Sequence, residues 1–153
     1  MENGLTFRPL DVDEHRAFLT EAHRETSRLT FGEAFTDEQI AVQIERERGK
    51  STGAFLCDLV VGICDVETRE RDGASYGWVH FFYLSPHMRG KGCGAQLIAR
   101  AEQYCKERGL GRLCLRVGQT NKGARSFYER GGFDRAPWLD KPGEYGYAKI
   151  ISP

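Results

Sequence analysis

No apolar run in this 153-residue chain approaches the roughly 18 residues that a membrane-spanning helix needs. Met1-Glu2-Asn3-Gly4 lacks the basic flank and apolar core of a signal peptide, so a cytoplasmic protein with no membrane partner is expected. Charge of one sign is also lacking: 22 Lys and Arg balance 22 Asp and Glu, for a net charge of zero. This argues against nucleic-acid binding by bulk charge, though not against a local basic patch, and no nucleic-acid partner is expected. No two of the five cysteines, Cys57, Cys64, Cys93, Cys105 and Cys114, form a C-x-x-C pair, and their number is odd. A disulfide framework or a cysteine zinc site is not supported, and mostly buried, reduced thiols are expected. His15, His23, His80 and His87 show no H-E-x-x-H spacing, so no metal is expected. There is no internal repeat and no low-complexity segment.

What is present suits one domain over residues 1–153, long enough to bury a core without metal or disulfide. Leu5–Pro9 alternates as a strand, and Asp11–Leu29 carries Val12, Phe18, Leu19 and Ala22 at helical spacing. Thr36-Asp37-Glu38-Gln39 is a capping box, which predicts a helix to about Arg48 that Gly49 stops. Ala54–Asp58, Leu59–Glu67 and Tyr76–Leu84 are rich in β-branched and aromatic residues and read as strands. The polar stretch Thr68–Ser75 between the last two reads as a hairpin loop around Asp72-Gly73. Gly92–Arg108 is an amphipathic helix capped by Gly109, and Leu113–Val117 is a short apolar strand. Asn121–Arg130 is a short helix ended by Gly131-Gly132, before Phe133–Trp138 and a last strand, Tyr145–Ile151. The order is β, two helices, three strands, helix, strand, helix, two strands: a mixed α/β domain with one sheet.

Glycine is abundant, at 18 residues, and concentrated at Gly90, Gly92 and Gly94. The stretch Arg89-Gly90-Lys91-Gly92-Cys93-Gly94-Ala95 joins a strand to a helix. Small residues let the backbone curl so that successive N–H groups point inward, and the helix adds its unpaired first-turn N–H groups and positive dipole end. Such a turn suits a pyrophosphate, with Arg89 and Lys91 adding charge. It is not a Walker A loop, because Lys91 is followed by Gly92, and Gly49-Lys50-Ser51 lacks the required earlier glycine, which is Ile44. It is too short for the dinucleotide pattern G-x-G-x-x-G. A merely tight turn explains one or two glycines, but not three alternating ones behind an arginine.

With these residues the chain resembles the GCN5-related N-acetyltransferase (GNAT) family. The family signature [Q/R]-x-x-G-x-[G/A] is met by Arg89, Gly92 and Gly94, after Tyr83-Leu84-Ser85-Pro86. A second motif is met by Asn121, Ala124, Phe127, Tyr128, Glu129, Gly132 and Phe133, so the resemblance covers residues 77–133. It implies a mixed sheet of six or seven strands flanked by about four helices, with two splayed parallel strands, ending at Leu84 and running Leu113–Val117, forming a cleft for acetyl-CoA. It implies an acetyl-CoA-dependent transfer to a primary amine by direct attack in a ternary complex; the alternative is an acetyl-CoA-binding sensor or interaction module with little turnover.

By the same resemblance, Tyr83, Leu84, residues Arg89, Gly90, Lys91, Gly92, Cys93, Gly94 and Ala95, together with Asn121 and Tyr128, hold the co-substrate. The backbone N–H of Leu84 polarises the thioester carbonyl. Tyr128 matches the family's general acid: a phenol near pKa 10 can serve a thiolate whose acid has a pKa of about 8.5. As a plain core aromatic its neighbour Phe127 fits better. Relatives commonly place a carboxylate upstream on the signature strand; here Trp78 and His80 stand there. His80 is the best-placed titratable base, with Glu33, Glu67 or a water chain as alternatives. Cys93 is not expected to form an acetyl-enzyme, because direct transfer is the family route. The acceptor is expected between loops Thr30–Phe35 and Trp138–Tyr145. Phe31, Glu33, Phe35, Trp138 and Tyr145, with Asp140 and Glu144, would suit a cationic amine, small molecule or peptide, through cation–π contact and ion pairing. The resemblance leaves the acceptor's identity and homodimer formation open.

Overall fold

The structure is a computed structural model that describes residues 4–153; Met1 to Asn3, from which the lack of a signal peptide was read, lie outside the described residues. Seven strands form one sheet in the order β1-β2-β3-β4-β5-β7-β6, where β1 is Leu5–Pro9, β2 Thr52–Leu56, β3 Leu59–Arg71, β4 Ala74–Leu84, β5 Arg112–Gly118, β6 Asp134–Arg135 and β7 Glu144–Ile150. The helices are α1 (Arg16–Phe31), α2 (Asp37–Glu47), α3 (Cys93–Glu107) and α4 (Lys122–Arg130). Every strand pair is antiparallel except β4·β5.

The sheet carries a core on each face. On one side α1 and α2 bury Leu19, Ala22, Ile40 and Ile44 against Phe55, Ile63, Phe81 and Tyr83. On the other, α3 and α4 bury Cys93, Leu97, Ala101 and Tyr128 against Val79, Leu84, Leu115 and Tyr147. Alternation along β4 produces this split, because successive side chains leave opposite faces of a strand.

Local chemistry sets the element ends. The Thr36 hydroxyl accepts from Gln39 N at 3.2 Å while Gln39 Oε1 accepts from Thr36 N at 2.8 Å, the capping box read from the sequence. The first helix starts later than expected, at Arg16, because Asp11 Oδ1 accepts from the N–H groups of Asp13 and Glu14 and folds that stretch into its own turn. Residues 68–75 are not a loop. β3 and β4 pair through Arg71↔Ala74, and only Asp72 and Gly73, at φ 51° and 80°, make the turn. Two positive φ values give a tight hairpin whose twist matches the strands, so pairing continues to the tip despite the polar composition. The expected strand over Phe133–Trp138 shrinks to β6; Pro137 donates no N–H, and residues Pro137–Leu139 form a 3-10 turn. Four cysteines are buried, but Cys57 is exposed, in the β2–β3 turn at φ 55°.

Candidate active site

Strands β4 and β5 pair only at Gly77↔Leu113 and Trp78↔Cys114 and then diverge. Gly77 makes this junction tight: a Cβ there would collide with Cys105 Sγ of α3. Beyond it the strands open a cleft of about 890 Å³, lined by Val79–Leu84 on one wall and Leu115–Gly118 on the other. The C-terminal half of α1 spans the gap. A Cβ on Gly118 would lie 2.6 Å from Thr30 Cα, so glycine is what lets α1 rest on the end of β5.

The β4 wall offers unpaired backbone groups. Ser85 N donates to Val61 O at 2.8 Å, and Leu84 stands opposite Gly62. Alternation along the strand therefore turns the N–H of Leu84 away from β3 and toward the cleft. The Leu84 carbonyl on that side accepts from Arg89 Nε at 3.0 Å. Lower on β4, Asp65 pairs with Phe81 and Val66 with Val79, leaving His80 as the extra residue of a β-bulge. His80 is exposed and lines the cleft.

The glycine turn closes one end. Gly90 and Gly92 have φ of 76° and 84°, and Gly92 is the N-cap of α3. Gly94 serves packing instead: its Cβ would stand 3.0 Å from the Phe127 ring. Arg89, Gly90, Gly92, Gly94 and Ala95 line the cleft; Lys91 is exposed and Cys93 is buried, and neither lies on its wall. On the far wall stand Asn121 and Tyr128. Asn121 Oδ1 accepts from Ala124 N at 3.3 Å and so caps α4, which leaves its amide N–H groups for a ligand. Tyr128 is 6% exposed, set among the rings of Phe82, Phe127 and Phe133. Burial pushes its phenol well above the usual tyrosine range and keeps it a proton donor.

The structure adds Glu25, which the sequence reading passed over. From α1 its Oε2 accepts from Tyr83 OH at 2.8 Å and its Oε1 meets Arg89 Nη2 at 2.7 Å. Burial and this carboxylate raise the Tyr83 phenol above its ordinary value. The signal was present: Glu25 falls on the apolar spacing Phe18, Ala22, Glu25, Leu29.

The expected acceptor residues are not gathered on the cleft wall. Phe31 and Phe35 stack on each other at 5.7 Å beside an exposed Glu33. Trp138 lies in a separate cluster with Tyr76, Trp78 and Cys114. Guanidiniums of Arg71 and Arg112 sit 4.6 and 5.4 Å from the Trp138 ring centroid, and those of Arg125 and Arg135 lie 4.7 and 4.1 Å from Tyr145. The chain's own cations already lie on the Trp138 and Tyr145 rings. Asp140 is held by Arg135 and by Gly146 N, which lower its carboxyl below the usual range. Of that group only Glu144 lines the cleft. Glu67, a candidate base, is paired with Arg69 at 2.8 Å. Among the described residues no cluster of three or more His, Cys, Asp or Glu could hold a metal, and no helix is long and apolar enough to cross a membrane.

A splayed parallel pair with a glycine turn at the head of the next helix is the arrangement expected of acyl-CoA-dependent acyltransferases. The chain belongs to the acetyltransferase (GNAT) family, whose model matches residues 13–133. An uncharacterised N-acetyltransferase of Methanocaldococcus jannaschii is 40% identical over 86 residues, 56% of this chain and 35% of that protein. One of Archaeoglobus fulgidus is 42% identical over 87 residues, 57% of this chain and 55% of that protein. A mycothiol acetyltransferase of Rhodococcus erythropolis is 37% identical over 70 residues, 46% of this chain and 23% of that protein. The chain thus spans about half or less of the length of these relatives. The fold matches that of the PaiA N-acetyltransferase of Thermoplasma acidophilum in complex with coenzyme A, at TM-score 0.69 and 20% identity over 98% of this chain and 99% of that one. It also matches Arabidopsis thaliana Naa50 in complex with the bisubstrate analogue CoA-Ac-MVNAL, at TM-score 0.64 and 19% identity over 95% and 98% of the two chains.

Proposed function

We propose that the protein transfers an acetyl group from acetyl-CoA to a primary amine by direct attack in a ternary complex. The observation that carries this reading is the meeting, in one cleft, of an unpaired strand edge, a positive-φ glycine turn at a helix N-terminus, and a buried tyrosine. The residues suit the co-substrate. The free edge of β4 can pair with the amide arm of pantetheine as an added strand would, and the turn from Arg89 to Ala95 can seat the pyrophosphate. Bound there, acetyl-CoA supplies an activated thioester.

The chain's own groups do the rest. Leu84 N–H, aimed into the cleft, donates to the thioester carbonyl oxygen as negative charge develops on it. A protonated amine near pKa 10.4 cannot attack, so a base must take its proton. His80, raised out of the β4 ladder by the bulge, is the histidine that lines the cleft and takes that role. As the C–N bond forms and the C–S bond breaks, Tyr128 gives its phenolic proton to the departing sulfur. Burial keeps the hydroxyl protonated across the working pH range, so the proton is present when the sulfur departs.

The test is thiol release from acetyl-CoA across a panel of primary amines, with the acetylated product identified by mass. Release with at least one amine supports the reading. Tight CoA binding with no release from any amine would overturn it in favour of an acetyl-CoA-binding sensor.

A further inference from the structure

On the sheet face shared with α1 and α2, arginines gather around Trp78 and Trp138. Arg69 and Arg116 place their guanidiniums 4.4 and 4.7 Å from the Trp78 centroid, and Arg71 and Arg112 do the same over Trp138. Strand alternation explains the grouping. Trp78 stands opposite Glu67 on β3 and Cys114 on β5, so Arg69, Arg71, Arg112 and Arg116 all leave the sheet on Trp78's side. Trp78 lies two residues before the bulged His80, and Arg116 lines the cleft itself.

The acids here are accounted for. Glu67 pairs with Arg69, and Asp72 with Arg71. Asp140 makes a two-point contact with Arg135, Arg116 adding a weaker pull on its carboxyl. Glu144 lines the cleft and has no ion pair among the described residues. Arg112 and Arg116 have no carboxylate within ion-pair distance among the described residues. Arg116 Nε donates to the Leu139 carbonyl, which fixes the side chain and leaves its terminal N–H groups for another acceptor. A guanidinium lying on an indole directs those donors outward from its edge, in the fork geometry that fits a carboxylate. In a chain of zero net charge, this cationic strip beside the bulge is a local departure.

We propose that Arg116, held over Trp78 on the cleft wall, reads a carboxylate on the acceptor. The preferred acceptor is then an amine that also carries an acid, as an acidic amino acid or an acidic peptide N-terminus does. This rests on the acetyl-transfer reading for the amine, but the carboxylate subsite has a binding signature of its own.

The experiment uses the protein saturated with CoA. Calorimetry compares free aspartate and two peptides of equal length that differ in one residue, Ser-Asp-Gly-Gly and Ser-Asn-Gly-Gly. Turnover with acetyl-CoA is measured on the same three. The acidic peptide should bind about tenfold more tightly than its amide twin, and the ratio should shrink as salt rises. Arg116→Gln should bring the ratio near one, while Arg116→Lys should retain part of it. Free aspartate binding as tightly as the acidic peptide would assign the subsite to amino acids, and weaker binding would assign it to peptides. Equal affinity for the two peptides, or a ratio unmoved by Arg116→Gln in the folded variant, overturns the proposal. Selective acidic binding without turnover would instead overturn the transfer reading and leave the subsite standing.

Discussion

The carboxylate of Glu25 and the guanidinium of Arg89 meet at 2.7 Å across the mouth of the cleft. The pair joins α1 to the turn that opens α3, and it offsets positive charge where the pyrophosphate is proposed to sit. Glu25→Gln keeps a carbonyl acceptor for Tyr83 OH but removes the negative charge. CoA should then bind two- to fivefold more tightly at low salt, a modest gain because the Arg89 side chain is half exposed and screened. Calorimetry checks this, and weaker CoA binding by the folded variant would show that the carboxylate orients Arg89 for the phosphates instead.

Tyr128→Phe keeps the ring packed among Phe82, Phe127 and Phe133 and deletes only the donor. kcat should fall by about 10²-fold with CoA affinity nearly unchanged. Because burial holds the phenol far above its usual range, the alkaline limb of the wild-type pH–rate profile should owe nothing to this residue. Turnover within a few-fold of wild type would make Tyr128 a packing residue.

A buried acid cluster beneath α1 and α2 gives stability its own pH dependence. Asp65 accepts from Ser51 Oγ at 2.7 Å and Thr52 N at 2.9 Å, with Glu47 of α2 and His23 of α1 nearby. Burial raises its carboxyl from 3.8 to about 7, against the pull of those two hydrogen bonds. Between these pH values the folded protein holds a proton that the unfolded chain releases. Stability therefore falls as pH rises across that window and levels off above about 7. Asp65→Asn can keep both hydrogen bonds without the charge. Thermal melts should show the variant with the higher Tm at pH 8 and the wild-type slope between pH 4 and 7 largely gone. A wild-type melt that rises steadily over this range would contradict the burial argument.

The element order and the glycine turn were legible because local rules govern them. A capping box, alternating strands and a glycine turn each act within a few residues, so Thr36, Leu84 and Gly92 fell where their neighbours placed them. The hairpin tip was not legible, since continued pairing to Arg71 and Ala74 depends on two positive φ values rather than on composition. Nor were the surroundings of two loop aromatics. Trp138 and Tyr145 are aromatic residues in a loop and at a strand start, as expected, but their rings are covered by arginines from β3, β5, α4 and β6. Such long-range pairings leave no trace in spacing. Gly118 is a similar case: its need for glycine arises from Thr30, 88 positions earlier in the chain.

His80 tests how the missing strand carboxylate is replaced. The bulge leaves this residue without a partner on β3 and exposed on the cleft wall, two properties that packing alone does not require. Strand residues on either side, Val79 and Phe81, are buried in opposite cores, so His80→Ala should leave the fold and CoA binding intact. If the imidazole takes the amine proton, kcat should drop by about 10²-fold and added imidazole should restore part of it, because the vacated site opens on the cleft. His80→Gln, which fills the space without accepting a proton, should be as slow as the alanine variant but deaf to imidazole. The two variants separate chemistry from shape. Near-normal turnover in both would remove His80 from the mechanism and pass the role to an ordered water or to Glu144, the carboxylate that lines the same cleft from β7.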